Sequence, residues 1–315
     1  MLRWRIFLGA LIIGCLTMLG YMDWRLEKLT DIAGLVLFPL LVLLLIPACS
    51  ELISLSKLGG ARPIRMVVYL GTVLVVTMSW IAPISSNWAT GHVGSASRLQ
   101  PFLHATSGSW AFSGLGLALI MAFVAEMCRY RRPGWSTIHV SATMFTILYL
   151  GLLSAFLVQI RLVGGIGYLV AFLLTVKMGD TGAFTVGRLL GRHKLAPGLS
   201  PGKTIEGAIG ALLFSCLGSW IMFAHVLPAV SRTYGTHGVS GIESSAPLAW
   251  LTFGLVIGLV GMIGDLAESM LKRDAQQKDS SLWMPGFGGF LDILDSILLA
   301  APAAYGLWAF GIIVP

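Results

Sequence analysis

Charged residues are scarce in this chain. Lysine, arginine, aspartate and glutamate make up only 11% of its 315 residues, whereas a soluble globular domain carries about 25%. Apolar residues make up 56%, and they come in repeated runs of about 20 residues, the length that crosses a bilayer as a helix. The scarcity of charge and the long apolar runs argue against a soluble enzyme and predict an all-α polytopic integral membrane protein.

Cysteine is also scarce, and its placement argues against two kinds of site. The four cysteines stand singly in or beside apolar segments, without CxxC or Cys/His spacing: Cys15, Cys49, Cys128 and Cys216. This pattern favours neither a disulfide framework nor a zinc site. The net charge of +7 comes from short loops between apolar segments. It therefore indicates membrane topology and contact with membrane lipids, not nucleic-acid binding.

Nine apolar segments are long enough to be membrane spans. They lie at about 6–22, 31–49, 64–84, 108–127, 137–159, 164–181, 206–227, 248–268 and 290–314. Alternate loops between them carry 15 and 5 lysine or arginine residues, and the smaller set includes Arg161. Because basic residues favour the cytoplasmic side, this asymmetry predicts a cytoplasmic N-terminus and a C-terminus outside.

Two polar connectors, 182–205 and 269–289, fall on the cytoplasmic side of this topology. Both lie in the C-terminal part of the chain, whereas the N-terminal part shows only its apolar segments. We therefore expect two regions: N-terminal transmembrane helices at 1–135 that form a scaffold with lipid or dimer contacts, and a catalytic transmembrane region at 136–315.

Glycines recur every three or four residues along the eighth apolar segment. They are Gly254, Gly258, Gly261 and Gly264. Small residues at this spacing let neighbouring helices approach closely, either within one chain or between two copies of it. The pattern predicts close packing of this helix and would also permit a homodimer.

Acidic side chains share one helix face on each side of the second connector. The eighth segment and its continuation carry Asp265, Glu268, Ser269 and Lys272 at i, i+3, i+4 and i+7, and the ninth carries Asp292, Asp295 and Ser296 at i, i+3 and i+4. Two helices that leave and re-enter one membrane face can bring such faces together. Carboxylates at membrane depth usually mark functional sites, and oxygen ligands without Cys or His suit a hard cation such as Mg²⁺. The alternative is that these acids cap helices or form ion pairs.

The two connectors add positive charge and flexible backbone. The second contains Lys272, Arg273 and Lys278, followed by the glycine-rich stretch 285–289, whose N–H groups can approach phosphate oxygens. In the first, Asp180 ends the sixth segment and a polar group precedes the seventh: Ser200, Lys203, Thr204 and Glu206. We expect Ser200 to cap the seventh helix, with Lys203 and Thr204 facing an anion. This connector is not a Walker A motif, because the four-residue gap between its glycines is absent.

Three blocks of residues, in order along the chain, resemble a known family. They are Asp180-Thr-Gly-Ala-Phe with Gly187-Arg188; Ser200-Pro-x-Lys203-Thr204-x-Glu206-Gly207; and Gly264-Asp265-Leu-x-Glu268-Ser269 continuing through Lys272-Arg273, Lys278-Asp279 and Pro285-Gly286-x-Gly288-Gly289 to Asp292-x-x-Asp295-Ser296. These blocks are similar to the signature of the CDP-diacylglycerol synthase (phosphatidate cytidylyltransferase) family. The resemblance covers roughly residues 140–315. The chain departs from the family pattern at Phe287, where His is common, and at Ile293, where Arg is common.

The resemblance implies a reaction in phospholipid biosynthesis in which CTP and phosphatidate give CDP-diacylglycerol and pyrophosphate. It implies a Mg²⁺ cofactor, with room for a second metal ion, held principally by Asp265 and Asp292 and supported by Asp180, Glu268 and Asp295. The catalytic set comprises Asp265, Asp292, Lys272, Arg273 and Lys203. Further substrate contacts or loop-orienting residues are Ser200, Thr204, Glu206, Ser269, Lys278, Asp279, Gly288 and Gly289. We expect the active site to face the cytoplasm from a bacterial inner membrane, since CTP is cytosolic and phosphatidate lies in the bilayer.

Three other interpretations stay open at the level of sequence. Broken helices and buried carboxylates also occur in transporters, although those usually show matching interruptions in two halves of the chain. A non-catalytic membrane scaffold is the second alternative. The third is a related CTP-dependent transferase that acts on another lipid phosphate.

Overall fold

The structure is a computed structural model, and it describes residues 2–92, 107–131, 133–229, 247–281 and 288–312. These residues form helices α1 (Leu2–Thr30), α2 (Leu37–Leu58), α3 (Arg65–His92), α4 (Ser107–Arg129), α5 (Ser136–Thr146), α6 (Leu153–Leu190), α7 (Ile205–Trp220), α8 (Pro247–Asp274) and α9 (Phe290–Ala309). Six-residue π-helical segments follow α5 (Ile147–Leu152) and α7 (Ile221–Val226). Strands β1 (Lys194–Ala196) and β2 (Ser200–Thr204) form an antiparallel hairpin between α6 and α7.

Long apolar helices confirm the prediction of an all-α integral membrane protein. Within the described residues, six helical runs are long and apolar enough to cross a membrane: Leu37–Leu58, Trp110–Arg129, Ser136–Leu190, Ile205–Ala229, Leu248–Asp274 and Phe290–Ala309. The run Ser136–Leu190 has 55 residues and contains two of the predicted spans. Gly165, at φ 73°, interrupts it with a kink at the start of the second of those spans. The number of spans and their orientation stay predictions.

The chain divides into two compact units. The first comprises Met1–Leu162 with Ser280–Phe290, and the second comprises Val163–Asp279 with Leu291–Pro315. This division separates the chain by its internal packing and does not test the functional boundary that we predict between residues 135 and 136.

In the first unit, α3 and α4 pack closely through small residues. A Cβ atom at Gly114 would lie 3.1 Å from the Cα atom of Val75, so the two backbones approach as membrane helices do at glycines. Val75, Ala118 and Ile147 belong to the buried apolar cluster at this contact. The packing supplies van der Waals contact where lipid provides no hydrophobic driving force between helices.

Arg161 lies in a helix and not in a loop, so the sequence-based assignment of this residue to a loop is wrong. It lies within α6, is only 3% exposed, and its Nη2 atom lies 2.7 Å from Asp23 Oδ2 and 2.6 Å from Glu27 Oε2. The helix continues past residue 159 as far as the kink at Gly165, which is why Arg161 is not in a loop.

In the second unit, glycines on α8 bring it close to both neighbouring helices. A Cβ atom at Gly254 would lie 2.5 Å from Cys216 Cα on α7, and one at Gly264 would lie 2.7 Å from the Asp295 carbonyl oxygen on α9. This confirms the packing role predicted for the α8 glycines, although Gly261 has only ordinary contacts. Because Gly254 and Gly264 pack within the chain, they do not provide a dimer surface, and the homodimer stays a prediction.

Candidate active site

The acidic faces of α8 and α9 meet in the second unit. Asp265 and Glu268 from α8 and Asp295 from α9 place carboxylate oxygens within 4.8 Å of one another, and we call these three residues the acidic cluster. Gly264 permits the approach, because it is one residue from Asp265 and lies against the α9 backbone at Asp295. The glycine spacing of α8 thus brings together the carboxylates that the i, i+3 spacing aligns.

Lys272 connects the acidic cluster to Asp292. Its Nζ atom lies 2.6 Å from Glu268 Oε2, one helical turn earlier on α8, and 2.5 Å from Asp292 Oδ1 on α9. All three side chains are largely buried. Asp292, which we predicted as a principal metal ligand, is therefore paired with an ammonium group, while Asp295 occupies the cluster itself.

The charges around the cluster are only partly balanced. Lys203 Nζ lies 2.7 Å from Asp265 Oδ2, so two ammonium groups face four carboxylates. Among the described residues, no hydrogen-bond donor reaches Oε1 of Glu268, a side chain that is fully buried. Surplus negative charge, oxygen-only donors and a buried acceptor without a donor fit a hard divalent cation such as Mg²⁺.

The β-hairpin places Lys203 beside the cluster. Strand β2 pairs with β1 through Lys194 opposite Thr204 and Ala196 opposite Ser200. Thr204 is the N-cap of α7, and its Oγ1 atom accepts a hydrogen bond of 3.1 Å from the Gly207 N–H. The expected cap by Ser200 is wrong, because the chain from Ser200 to Thr204 is extended and the helix begins only at Ile205.

Two predicted site residues form hydrogen bonds with the backbone of this hairpin or of the residues just before it. Glu206 accepts hydrogen bonds from the Arg192 N–H at 3.0 Å and shares one of 2.6 Å with His193 Nδ1. Arg273 Nε donates to the Leu199 carbonyl oxygen at 3.2 Å, which ties the hairpin to the end of α8. Glu206 therefore holds the backbone just before the hairpin, and Arg273 holds the backbone of its turn, so both side chains can orient this loop.

Lys177 is a cation that sequence analysis leaves without a role. Its Nζ atom lies 2.9 Å from Asp180 Oδ2 and donates to the Ile293 carbonyl oxygen at 3.3 Å. The signal that could have identified it is a lysine three residues before an aspartate near the end of an apolar helix, because such residues share a face. Asp180, a predicted supporting metal ligand, forms an ion pair with this lysine.

The other predicted residues lie on the connector or close to it. Ser269 is half-buried on α8, and Lys278 and Asp279 are exposed beyond its end. Gly288 has φ +81°, and Gly289 is buried in the first unit against Glu51 and Ser280. The stretch 285–287, which includes Phe287, lies outside the described residues.

Comparison with known proteins identifies a family and several relatives. A family model described as "Cytidylyltransferase family" matches residues 5–310. A phosphatidate cytidylyltransferase of Staphylococcus saprophyticus is 31% identical over 201 residues, which cover 62% of this chain and 70% of that protein. Enzymes of the same name from Chlamydia muridarum and Staphylococcus aureus are 32% and 34% identical over 143 and 161 residues, or 45% and 50% of this chain.

The extent of these matches differs between relatives. The aligned segments span 43% of the Chlamydia muridarum protein and 55% of the Staphylococcus aureus protein, less than two thirds of either. The family model, in contrast, extends over nearly the whole chain and includes all four carboxylates and both lysines of the site. The chain therefore belongs to the cytidylyltransferase family.

Proposed function

We propose that this chain is a phosphatidate cytidylyltransferase, which converts CTP and phosphatidate to CDP-diacylglycerol and pyrophosphate. A phosphate oxygen of phosphatidate forms a bond to the α-phosphorus of CTP. The bond between that phosphorus and the oxygen bridging to the β-phosphate breaks, and pyrophosphate leaves with the electron pair. The observation that carries this proposal is the acidic cluster flanked by Lys203 and Lys272 on apolar helices.

The barrier to this reaction is mainly electrostatic, because two polyanions must meet. The attacking phosphate oxygen is already ionised near neutral pH, so the reaction does not require a strong general base. Positioning and charge neutralisation then supply most of the rate, as in phosphoryl transfer generally. The described residues of the site include carboxylates and lysines but no buried histidine, which suits this requirement.

Mg²⁺ is the cation that we propose for the acidic cluster. Asp265, Glu268 and Asp295 would hold it, and the buried Oε1 atom of Glu268 supports this assignment. When bound, the cation would neutralise charge on phosphate oxygens and polarise them. A second metal ion would need further ligands, for which Asp292 and Asp180 are the candidates once their lysine partners turn to substrate.

The lysines of the site would contact substrate phosphates. Lys203 and Lys272 are each paired with a carboxylate of the cluster, and each can exchange that partner for a phosphate oxygen when the cation binds. Thr204, Glu206 and Arg273 act on the hairpin that carries Lys203, so we assign them positioning roles. The exposed Lys278 and Asp279 keep their proposed substrate contacts.

The membrane arrangement is part of the proposal. Nine spans with a cytoplasmic N-terminus are supported by the basic-residue asymmetry and by the lengths of α1 and α3, 29 and 28 residues, which exceed the roughly 20 that a span needs. The active site would face the cytoplasm of a bacterial inner membrane, where CTP is available. Phosphatidate would enter from the bilayer.

The test is incorporation of labelled CTP into lipid by the purified full-length chain in lipid nanodiscs. Phosphatidate is compared with an isoprenoid phosphate as acceptor, each with Mg²⁺ and with a chelator in its place. We expect CDP-lipid only with phosphatidate and Mg²⁺. Preference for the isoprenoid phosphate would assign the chain to another lipid phosphate, and no lipid product with either acceptor would overturn the proposed activity.

A further inference from the structure

Glu51 is a buried carboxylate that the proposed reaction does not use. It lies on the apolar helix α2 of the first unit and is only 5% exposed. Its Oε1 atom accepts hydrogen bonds from Ser281 Oγ at 2.6 Å and from the Phe290 N–H at 3.1 Å, and its Oε2 atom accepts one from Ser280 Oγ at 3.1 Å. The three donors come from the two ends of the segment Ser280–Phe290. One carboxylate therefore holds both ends of that segment.

Gly289 provides a second, steric observation at the same place. A Cβ atom at this position would collide with Ser280 Oγ and would lie 2.6 Å from the Glu51 carboxyl carbon. The backbone just before α9 is therefore packed directly against the carboxylate, and a larger residue at this position would require Ser280 and Glu51 to move. Hydrogen bonds and steric contacts thus both place Ser280 and Gly289 directly against Glu51.

The energetics explain why such a contact orders the chain. A carboxylate buried within an apolar helix is costly unless donors surround it, and bonds to a charged acceptor are stronger than bonds between neutral groups. Phe290 is the first residue of α9, where backbone N–H groups have no partner within the helix. A negative charge at that end also complements the helix dipole. Glu51 therefore acts as a cap for α9 supplied from a distant part of the sequence.

We propose that Glu51 is a positioning residue for cytidylyl transfer. By holding both ends of Ser280–Phe290 on one carboxylate, it fixes the start of α9, the helix that carries Asp292 and Asp295. The N-terminal region, expected to be a scaffold, then contributes a residue on which the geometry of the reaction depends. This inference rests on the proposed function, because its kinetic consequence is read in that reaction.

The test compares two variants that each neutralise a buried carboxylate of the first unit. Glu51→Gln keeps the size of the side chain but weakens its bonds to the three donors. Glu126→Gln is the matched control, because Glu126 is 6% exposed and bonds Arg129 and His139, away from Ser280–Phe290 in sequence. The double variant Ser280→Ala with Ser281→Ala removes two donors and leaves the carboxylate in place.

We expect Glu51→Gln to lower kcat/KM for CTP roughly ten-fold or more, the size expected for weakened bonds to a charged group, while Glu126→Gln stays within about two-fold of the parent. The serine double variant should show the same loss to a smaller degree. Hydrogen exchange followed by mass spectrometry should show faster exchange at the start of α9 in Glu51→Gln and unchanged exchange there in Glu126→Gln.

Three results would overturn the inference: parental kcat/KM in Glu51→Gln, equal losses in Glu51→Gln and Glu126→Gln, or unchanged exchange at the start of α9 in Glu51→Gln. If Glu51→Gln does not fold, the serine double variant decides by the same two measurements. An inactive parent chain would instead refute the proposed function, and the exchange experiment would still decide whether Glu51 holds the segment.

Discussion

Two groups of buried charges, one in each compact unit, are built in different ways. In the first unit, Arg161 donates from Nε to Asp23 at 2.8 Å and from Nη2 to Glu27 at 2.6 Å, and Asp23 also accepts from the Val36 N–H. In the second unit, the acidic cluster brings carboxylates together, and Oε1 of Glu268 has no hydrogen-bond donor among the described residues. The first arrangement provides donors for its acids, as a structural ion pair does. The second leaves one buried acceptor without a donor among the described residues, which supports the cation that we propose there.

The largest expected effect comes from removing a carboxylate of the acidic cluster. Asp265→Asn and Asp295→Asn should each lower Mg²⁺-dependent CDP-lipid formation roughly a thousand-fold or more, because the cation would lose a charged ligand worth several kcal/mol. Size-exclusion profiles should match that of the parent, since Asn keeps the size of Asp and removes a repulsive charge. Near-normal turnover in both variants would contradict the assignment of the cluster to the metal.

The ion pairs of Arg161 should respond in the opposite way. Arg161→Met leaves Asp23 buried without its cation and should destabilise the protein by about 3–5 kcal/mol. Turnover per folded molecule should stay near the parent value, and thermal unfolding in detergent checks the stability change. Adding Asp23→Leu should recover part of the lost stability, because it removes the unpaired buried carboxylate. The recovery is incomplete, since the Val36 N–H loses its acceptor and Glu27 keeps its charge. Lower turnover with unchanged stability would show that the ion pairs of Arg161 serve the reaction and not the fold.

Variants of Lys272 test whether its positive charge is needed beside Glu268 and Asp292. Lys272→Met should lower kcat/KM roughly a hundred-fold, because Glu268 and Asp292 would lose their shared cation and the substrate a phosphate contact. Lys272→Arg is the control, since it keeps the charge but changes the donor geometry, and it should retain more activity. Equal losses in the two variants would show that shape at this position matters and charge does not.

A smaller effect is expected at Lys177. Lys177→Met removes the ammonium group beside Asp180 and the Ile293 carbonyl oxygen, and it should lower kcat/KM about ten-fold, as expected for a charge-assisted contact. The double variant Lys177→Met with Ile293→Arg returns a cation to the same region and should recover part of the loss. An unchanged rate in Lys177→Met would show that this lysine serves only its ion pair with Asp180.

The smallest effect is expected at Phe287, which lies outside the described residues. Phe287→His introduces the residue common in the family, but it should change the rate by no more than about three-fold. The reason is that an already ionised phosphate oxygen gains little from a general base, which otherwise contributes far more. If Phe287→His turns an inactive parent into an active enzyme, the natural chain is not a working cytidylyltransferase.

The sequence alone predicts which site residues share a face of α8, but it does not predict which residues of α9 they contact. The i, i+3 spacing of Asp265 and Glu268 requires only that α8 remain helical, and it does so to Asp274. Which α9 carboxylate joins them depends on the packing depth of α8 against α9 at Gly264. That depth places Asp295 in the cluster and Asp292 on Lys272, and no spacing rule specifies it.

Single charges within apolar helices mark the limit of sequence analysis. Arg161 stands between two apolar segments, which is typical of a loop. It lies instead in helix before the kink at Gly165, where two acids from α1 pair with it in the interior. Glu51 is likewise isolated in sequence, and its partners Ser280, Ser281 and Phe290 lie more than 200 residues away. The cost of burying such charges signals that partners exist, but only the fold identifies them.

The central claim is most directly tested with CTP labelled at two different phosphates. The purified chain, supplied with phosphatidate and Mg²⁺, should place label from the α-phosphate in chloroform-soluble lipid and release label from the γ-phosphate as pyrophosphate. Asp295→Asn should do neither at a comparable rate. Lipid labelled from the γ-phosphate would indicate phosphoryl transfer instead, and the absence of both products would contradict cytidylyl transfer by this chain.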